Sequence, residues 1–297
     1  MSKGAFWAVL LALGLIGPAL AADQGVADEA GADKAQQEYV QKVRALHWVK
    51  GPAQVAVGGN STLQLPEGYL YLDAANTAKY EELNENFSSG KEVFVAPKDL
   101  SWNAYLEFSD DGYVKDDEKI DAPAILKTLT EHTEEANEER RRRGWADLHV
   151  VGWSIPPAYN ADSKRLEWAT LLRSRGSEGT NFFTKVLGRR GVTTVVLVSR
   201  PEDTTAAVKD LNGVLTGYQF NAGDTYADYK PGDKVAEYGL TGLIVGGAVA
   251  AAVKTGMLKG LWKMIAAAGA ALWKFLVAAV VAAVAGLKSL FKRKSAA

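Results

Sequence analysis

Long unbroken apolar runs stand at the two ends of this chain and not between them, so it can fold a water-facing body but leaves its ends for a bilayer. At the start, Lys3, the run from Ala5 to Gly17 and the small residues Ala19-Leu20-Ala21 read as a secretory signal over 1–21, cut near Ala21. From Gly239 the sequence turns to Ala, Val, Leu and Gly, and it closes on the basic Lys292-Arg293-Lys294. Charge follows the same division. Residues 22–236 carry a net −9 and residues 237–297 a net +7, although the whole chain sums to −1. Basic residues beside membrane segments mark the cytoplasmic side, so an exported acidic body on a tail that ends inside is predicted, with membrane lipid as a partner. An acidic body outside the cytoplasm argues against a nucleic-acid partner. There is no cysteine, so the body is held by its core and not by disulfides; about 215 residues suffice for one large core or two small ones.

A helical span needs about 20 apolar residues, and two stretches qualify. The first, 239–258, is interrupted only by Lys254 and reads as a transmembrane helix. The second, 260–292, reads as another span or as a basic helix lying on the membrane surface. Lys259, Lys263, Lys274, Lys288 and Lys292 fall within about 40° of one line on a helical wheel, a polar face suited to anionic lipid. One span plus a surface helix keeps both lysine clusters inside, whereas a hairpin of two spans exports one of them. Gly242, Gly246 and Ala250 form a stripe of small residues along which a second helix can pair.

Residues 22–47 are rich in Ala, Gln, Glu and Lys and read as a loose or marginally helical leader, with the folded domain expected over 48–236. Val55 and Val57, Thr62 to Leu65 and Tyr69 to Leu72 are β-rich runs broken by Gly58-Gly59-Asn60 and Pro66-Glu67-Gly68, which predicts a meander. Asp73 caps a helix through Leu83. Trp102 to Phe108 alternates, with Trp102, Ala104, Leu106 and Phe108 on one side. Asp121 caps a second helix with Pro123 in its first turn and a buried stripe of Ile125, Leu126, Leu129 and Ala136. Strands are expected over Leu148 to Ile155, Arg165 to Leu172, Asn181 to Leu187 and Val192 to Ser199. Pro156 to Ser163 reads as a linker, and Gly188-Arg189-Arg190-Gly191 as a tight hairpin. Pro201 to Leu215 reads as one amphipathic helix and Tyr218 to Phe220 as a short strand. Hairpins with helices set between groups of strands make the body α+β, a mainly antiparallel sheet with helices on a face.

Several strings make the chain resemble a bacterial family of membrane-anchored proteins of unknown function. They include Gly51-Pro52-Ala53, Leu65-Pro66-Glu67-Gly68-Tyr69, Asp111-Gly112-Tyr113-Val114-Lys115-Asp116-Asp117 and Ala136-Asn137-Glu138-Glu139-Arg140. They continue through Gly152-Trp153, Pro157-Ala158-Tyr159, Leu187-Gly188-Arg189-Arg190-Gly191, Phe220-Asn221-Ala222-Gly223 and Tyr226-Ala227-Asp228-Tyr229 to Tyr238-Gly239. The resemblance spans about residues 45 to 290. It implies a Gram-negative envelope protein with one exported domain and a C-terminal anchor in the inner membrane, and it assigns no activity or catalytic residue.

The chemistry is less legible than the location. Asp110, Asp111, Asp116, Asp117, Glu118 and Asp121 supply enough oxygen for a hard cation, but the EF-hand spacing is missing, and a solvated turn with a helix cap explains them better. His47, His132 and His149 are scattered, no Ser stands in a Gly-x-Ser-x-Gly elbow, and no cofactor or metal motif is present. Glu131 to Arg143 has acids early and arginines late, as a solvated helix favours. A candidate functional surface remains: Tyr113, Lys115, Asp116, Asp117, Asn137, Arg140, Arg189 and Arg190, the last two able to present a guanidinium fork to an anion. The function expected is a membrane-anchored periplasmic domain that binds an envelope protein or the cell wall, or has a structural role there. The alternative is an envelope hydrolase using the carboxylates Asp116, Asp117 and Glu138.

Overall fold

A computed structural model describes residues 29–246. The expected signal at 1–21, most of the expected span at 239–258 and the segment 260–292 lie outside the described residues. The described chain opens with a helix, α1 (Glu29–Arg44), and four strands, β1 (Val49–Lys50), β2 (Ala53–Val57), β3 (Ser61–Leu65) and β4 (Tyr69–Leu72). Helix α2 (Ala74–Leu83) leads to β5 (Val93–Pro97) and β6 (Asn103–Ser109). Helix α3 (Ala122–Arg142) leads to β7 (His149–Asn160), β8 (Arg165–Ser174), β9 (Ser177–Leu187) and β10 (Val192–Ser199). A 3-10 turn at Pro201–Asp203 precedes α4 (Thr204–Leu215), β11 (Tyr218–Phe220), a second 3-10 turn at Tyr226–Asp228 and α5 (Leu240–Val245).

The fold is α+β, built on a large antiparallel sheet in the order β1-β4-β5-β6-β10-β9-β8-β7, with β11, β3 and β2 forming a smaller sheet. Register sets what each face carries. Leu106 pairs with Val93 on one side and Val195 on the other, and Ala104 pairs with Val95 and Leu197. This face packs against Val55, Val57, Leu63 and Leu65 of the small sheet and Ala207, Leu211, Val214 and Leu215 of α4, all buried. Each large aliphatic side chain taken from water there contributes about 1.5–3 kcal/mol. Asp210 ties α4 to the sheet by accepting from the Tyr69 hydroxyl at 2.6 Å and the Trp102 indole at 3.0 Å.

The opposite face is also covered. Tyr80 of α2 lies 4.8 Å from the ring of Phe94, which in turn meets Tyr105 edge-on at 5.5 Å. Ala136 of α3 packs with Leu148, Leu172 and Val150. Helices therefore lie on both faces, where one was expected. Both foreseen caps form: the Asp73 carboxylate accepts from Asn76 N–H, and that of Asp121 from Ala124 N–H. In α3, Ile125, Leu129 and Ala136 are buried as expected, while Leu126 is half-buried.

Other expectations differ from the structure for physical reasons. The meander breaks at Pro66-Glu67-Gly68: β2 and β3 join the small sheet, while β4 crosses to pair with β1 and β5. The expected linker from Pro156 is strand. β7 runs on to Asn160 because it is the sheet's outer strand, where a proline's missing N–H costs no ladder bond and bulges absorb the irregular backbone. The helix expected from Pro201 starts as a 3-10 turn, and in the leader α1 takes up the helical one of the two readings.

Folded structure also continues past residue 236. In α5, Leu240, Leu243, Ile244 and Val245 are all at most 6% exposed, and the helix packs on α3. Glu118 accepts from Thr241 N–H at 3.1 Å. A Cβ at Gly242 would come within 2.6 Å of Tyr238, so this small residue of the expected pairing stripe is closed by its own chain, and Gly246, at φ 94°, ends the helix. Among the described residues no helix is long and apolar enough to cross a membrane.

Candidate functional site

Of the eight candidate side chains, one group gathers where the segment after β6 meets the segment after β11. Tyr113 bridges to Val235, with its N–H donating to Lys234 C=O at 2.8 Å and its C=O accepting from Ala236 N–H at 2.9 Å. Gly112 permits the approach: a Cβ there would lie 2.8 Å from the Lys234 carbonyl oxygen, and its φ of +97° also suits glycine. Tyr113 is thereby placed between two rings, with centroids 4.4 Å from Tyr226 and 4.2 Å from Tyr229. Tyr226 is anchored from below by its hydroxyl, which donates to Val114 C=O.

Asp116 lies beside the stack. Its Oδ2 accepts from the Tyr159 hydroxyl at 2.6 Å and from Lys164 Nζ at 2.9 Å, and that ammonium also sits 4.9 Å over the Tyr226 ring. Burial alone would raise the Asp116 carboxyl; the bonds from Tyr159 and Lys164 outweigh it and hold the group below its ordinary value. Burial, then Asp116, keeps the Tyr159 phenol protonated well above the usual range. Lys115 and Asp117, on either side of Asp116, are exposed.

The hairpin arginines reach the same region from β9 and β10. Arg189 grips Asp233 through Nε at 2.7 Å and a second nitrogen at 2.8 Å, and donates to Gly223 C=O. That fork holds the Asp233 carboxyl down at about 2. Arg190 pairs with Asp224. The expected fork is thus formed, and both arginines already hold carboxylates of this chain.

Asn137 and Arg140 lie elsewhere, on the far part of α3. Asn137 is fully buried and pairs with the backbone of Leu148, while Arg140 donates to Ala146 C=O and stacks 5.6 Å over Trp145. The same separation bears on the hydrolase alternative. Trp153 near the middle of β7 bonds the carbonyl of Ala122 at the start of α3, so α3 lies along β7 from Trp153 back to Leu148. Asp116 bonds to Tyr159 at the other end of that strand, and Glu138 follows Asn137. The sixteen residues from position 122 to 138 alone separate the helix ends by about 24 Å, so these carboxylates do not converge. Among the described residues no cluster of three or more His, Asp or Glu is placed to hold a metal ion.

A further polar group went unseen in the sequence. Glu81 of α2, Asn86, Glu92, and Tyr105 and Asn103 of β6 are buried under α2 and the 84–92 loop, all at most 4% exposed. Glu92 is satisfied by the loop amides of Ser89 and Lys91, and Ser89 also donates to Glu107 at 3.0 Å. Lys185 donates to Thr194 in the adjoining row; burial pulls its ammonium down to about 8 against the opposing pull of Asp111 and Glu107. The only sequence signal was spacing. Glu81 stands four residues after Thr77, on the helix face that the sheet covers.

A family model described as protein of unknown function (DUF2167) matches residues 49–284. None of the curated proteins matches the chain. Among solved structures, the solution structure of cyanobacterial PsbP (CyanoP) from Synechocystis sp. is similar at 9% identity and a TM-score of 0.32, over 54% of this chain and 86% of that one. The apo structure of the immunity protein TplEi of T6SS from Pseudomonas aeruginosa is similar at 9% identity and a TM-score of 0.23, over 66% of this chain and 86% of that one. Likenesses of that size carry nothing over to this chain.

Proposed function

The chain belongs to the DUF2167 family of proteins of unknown function, and we propose that it is a membrane-tethered binding domain of the Gram-negative envelope. Its body is periplasmic, its anchor lies in the inner membrane and its basic tail is cytoplasmic. The location rests on the signal-like 1–21 and on the charge contrast between −9 and +7. The binding role rests on one observation: the charged candidates Asp116, Arg189 and Arg190 are neutralised within the domain, while Tyr229 and Val235 stay 36% and 37% exposed beside them. Acid–base catalysis needs a group free to exchange its proton with substrate. Recognition of an envelope protein or of the cell wall needs an aromatic anchor on a rigid platform with a polar rim.

Tyr229 is that anchor. Changing both Tyr229→Ala and Val235→Asp in the full chain removes the outward apolar surface and one ring of the Tyr113 stack, while the ion pairs of Asp116, Arg189 and Arg190 keep both partners. In-cell crosslinking of this variant is expected to lose envelope adducts by about tenfold or more, the size of an interface anchor's loss. Glu131→Ala, an exposed change on α3, serves as the control. Unchanged adducts, together with turnover of a cell-wall or phospholipid substrate by the purified protein, would reverse the reading.

A further inference from the structure

The Glu81 carboxyl is 0% exposed, and neither of its oxygens closes a hydrogen bond of ordinary geometry. The Asn86 amide and the Tyr105 hydroxyl lie against it, and both are themselves buried without a bond of that kind. Polar atoms so enclosed are seldom left unpaired, and a carboxylate left this way is far costlier than a carboxylic acid. The titratable groups that face it are Tyr39 from α1, Tyr80 on its own helix, Glu92 from the loop before β5 and Tyr105 from β6. All four are acids when they ionise, so none of them can neutralise an ionised Glu81. Burial pushes the carboxyl up to about 8, and Glu92 adds to the rise.

The element bearing Glu81 is held to the rest by side-chain contacts and not by strand pairing: Phe87 packs on Trp145, Glu85 pairs with Arg175, and Ser89 donates to Glu107. Tyr80 packs on Phe94, and Tyr39 donates to Asn84 Oδ1 at 3.0 Å, which joins α1 to the same unit. We propose that Glu81 is a proton-operated latch: as an acid it lets α2 and the 84–92 loop lie on the large sheet, and as a carboxylate it lifts them off and uncovers Phe94 and Tyr105.

The sign follows from linkage. The opened form ionises from about 4.5 and the closed form only near 8, so between those values the opened form binds fewer protons. Closure is fully supported below about pH 4.5 and is lost as pH rises through 8. Hydrogen exchange on the full chain tests this, read as protection relative to the intrinsic rate so that ordinary base catalysis cancels. Protection of peptides from 74–92 is expected to fall about tenfold per pH unit between pH 5 and 8 and then to level off. In Glu81→Gln it should be flat over that range. Peptides from β10 should be better protected than 74–92 throughout.

A slope that survives in Glu81→Gln would overturn the latch. So would equal protection of 74–92 and β10 at every pH, since global unfolding alone would then expose Glu81. Protection that rises with added calcium chloride would assign the oxygens to a cation instead. The carbonyl shift of Glu81 in the unaltered chain gives a reading that needs no variant: a midpoint well above 4.5 but below about 8 supports the latch, one near 4.5 ends it, and so does one at 8 with protection of 74–92 unchanged.

Discussion

Asn137 accepts from Leu148 N–H and donates to Leu148 C=O, each at 2.8 Å, and so satisfies the backbone just before β7 from the buried side of α3. Alanine there would leave both backbone groups unpaired in the interior. Asn137→Ala is therefore expected to cost about 2–4 kcal/mol, seen as a lower urea midpoint at unchanged slope. Asn137→Asp keeps the acceptor but loses the donor and buries a charge. It should cost at least as much at pH 7 and recover part of the loss on acidification, as the protonated carboxyl regains a donor. A loss below about 0.5 kcal/mol for alanine would show that this contact does not secure β7. From sequence, Asn137 looked like part of an outward polar string. Its inward role depends on Leu148, eleven residues away, which no local pattern announces.

The elements that local chemistry determines were legible, and those that depend on distant partners were not. β10 and β11 fall where β-branched and aromatic residues place them, and α2 and α3 begin at their aspartate caps. β4 looked like its neighbours β2 and β3, but sheet membership is decided by pairing with β1 and β5, which spacing does not encode. α5 is the sharpest case, because its apolar composition merges into the run that follows. Four of its side chains are buried in the body, worth on the order of 6–12 kcal/mol as an upper bound, comparable to the 5–15 kcal/mol of a whole domain. A fragment ending at Ala236 is thus expected to lose its cooperative thermal transition, while one ending at Gly246 keeps it. In the full chain, Ile244→Ala should cost about 2–4 kcal/mol. Equal melting of the two fragments would mean that α5 only rests on α3.

At the scale of the molecule, the candidate surface was legible by residue type and not by assembly. Tyr113, Asp116, Arg189 and Arg190 are legible as candidates, but Asp224 and Asp233, which neutralise the arginines, fall between the strings Phe220–Gly223, Tyr226–Tyr229 and Tyr238-Gly239 and carry no local signal of that role. Charge along the chain remains the strongest whole-molecule signal, and it makes a prediction about sidedness. Exporting Lys288, Lys292, Arg293 and Lys294 against a potential that is negative inside would cost about 9 kcal/mol per 100 mV, at about 2.3 kcal/mol per charge. The tail should therefore stay in the cytoplasm while the acidic body crosses. The cysteine-free sequence allows a direct measurement, because any introduced thiol is the only one. Glu131→Cys in the body and Ser295→Cys in the tail can each be exposed to a membrane-impermeant maleimide in cells whose outer membrane alone has been opened. Glu131→Cys is expected to react at once, and Ser295→Cys only after the inner membrane is broken. If both react before the inner membrane is broken, the tail has crossed as well and the anchor is a hairpin of two spans; if neither does, the body was never exported and the charge contrast has another cause.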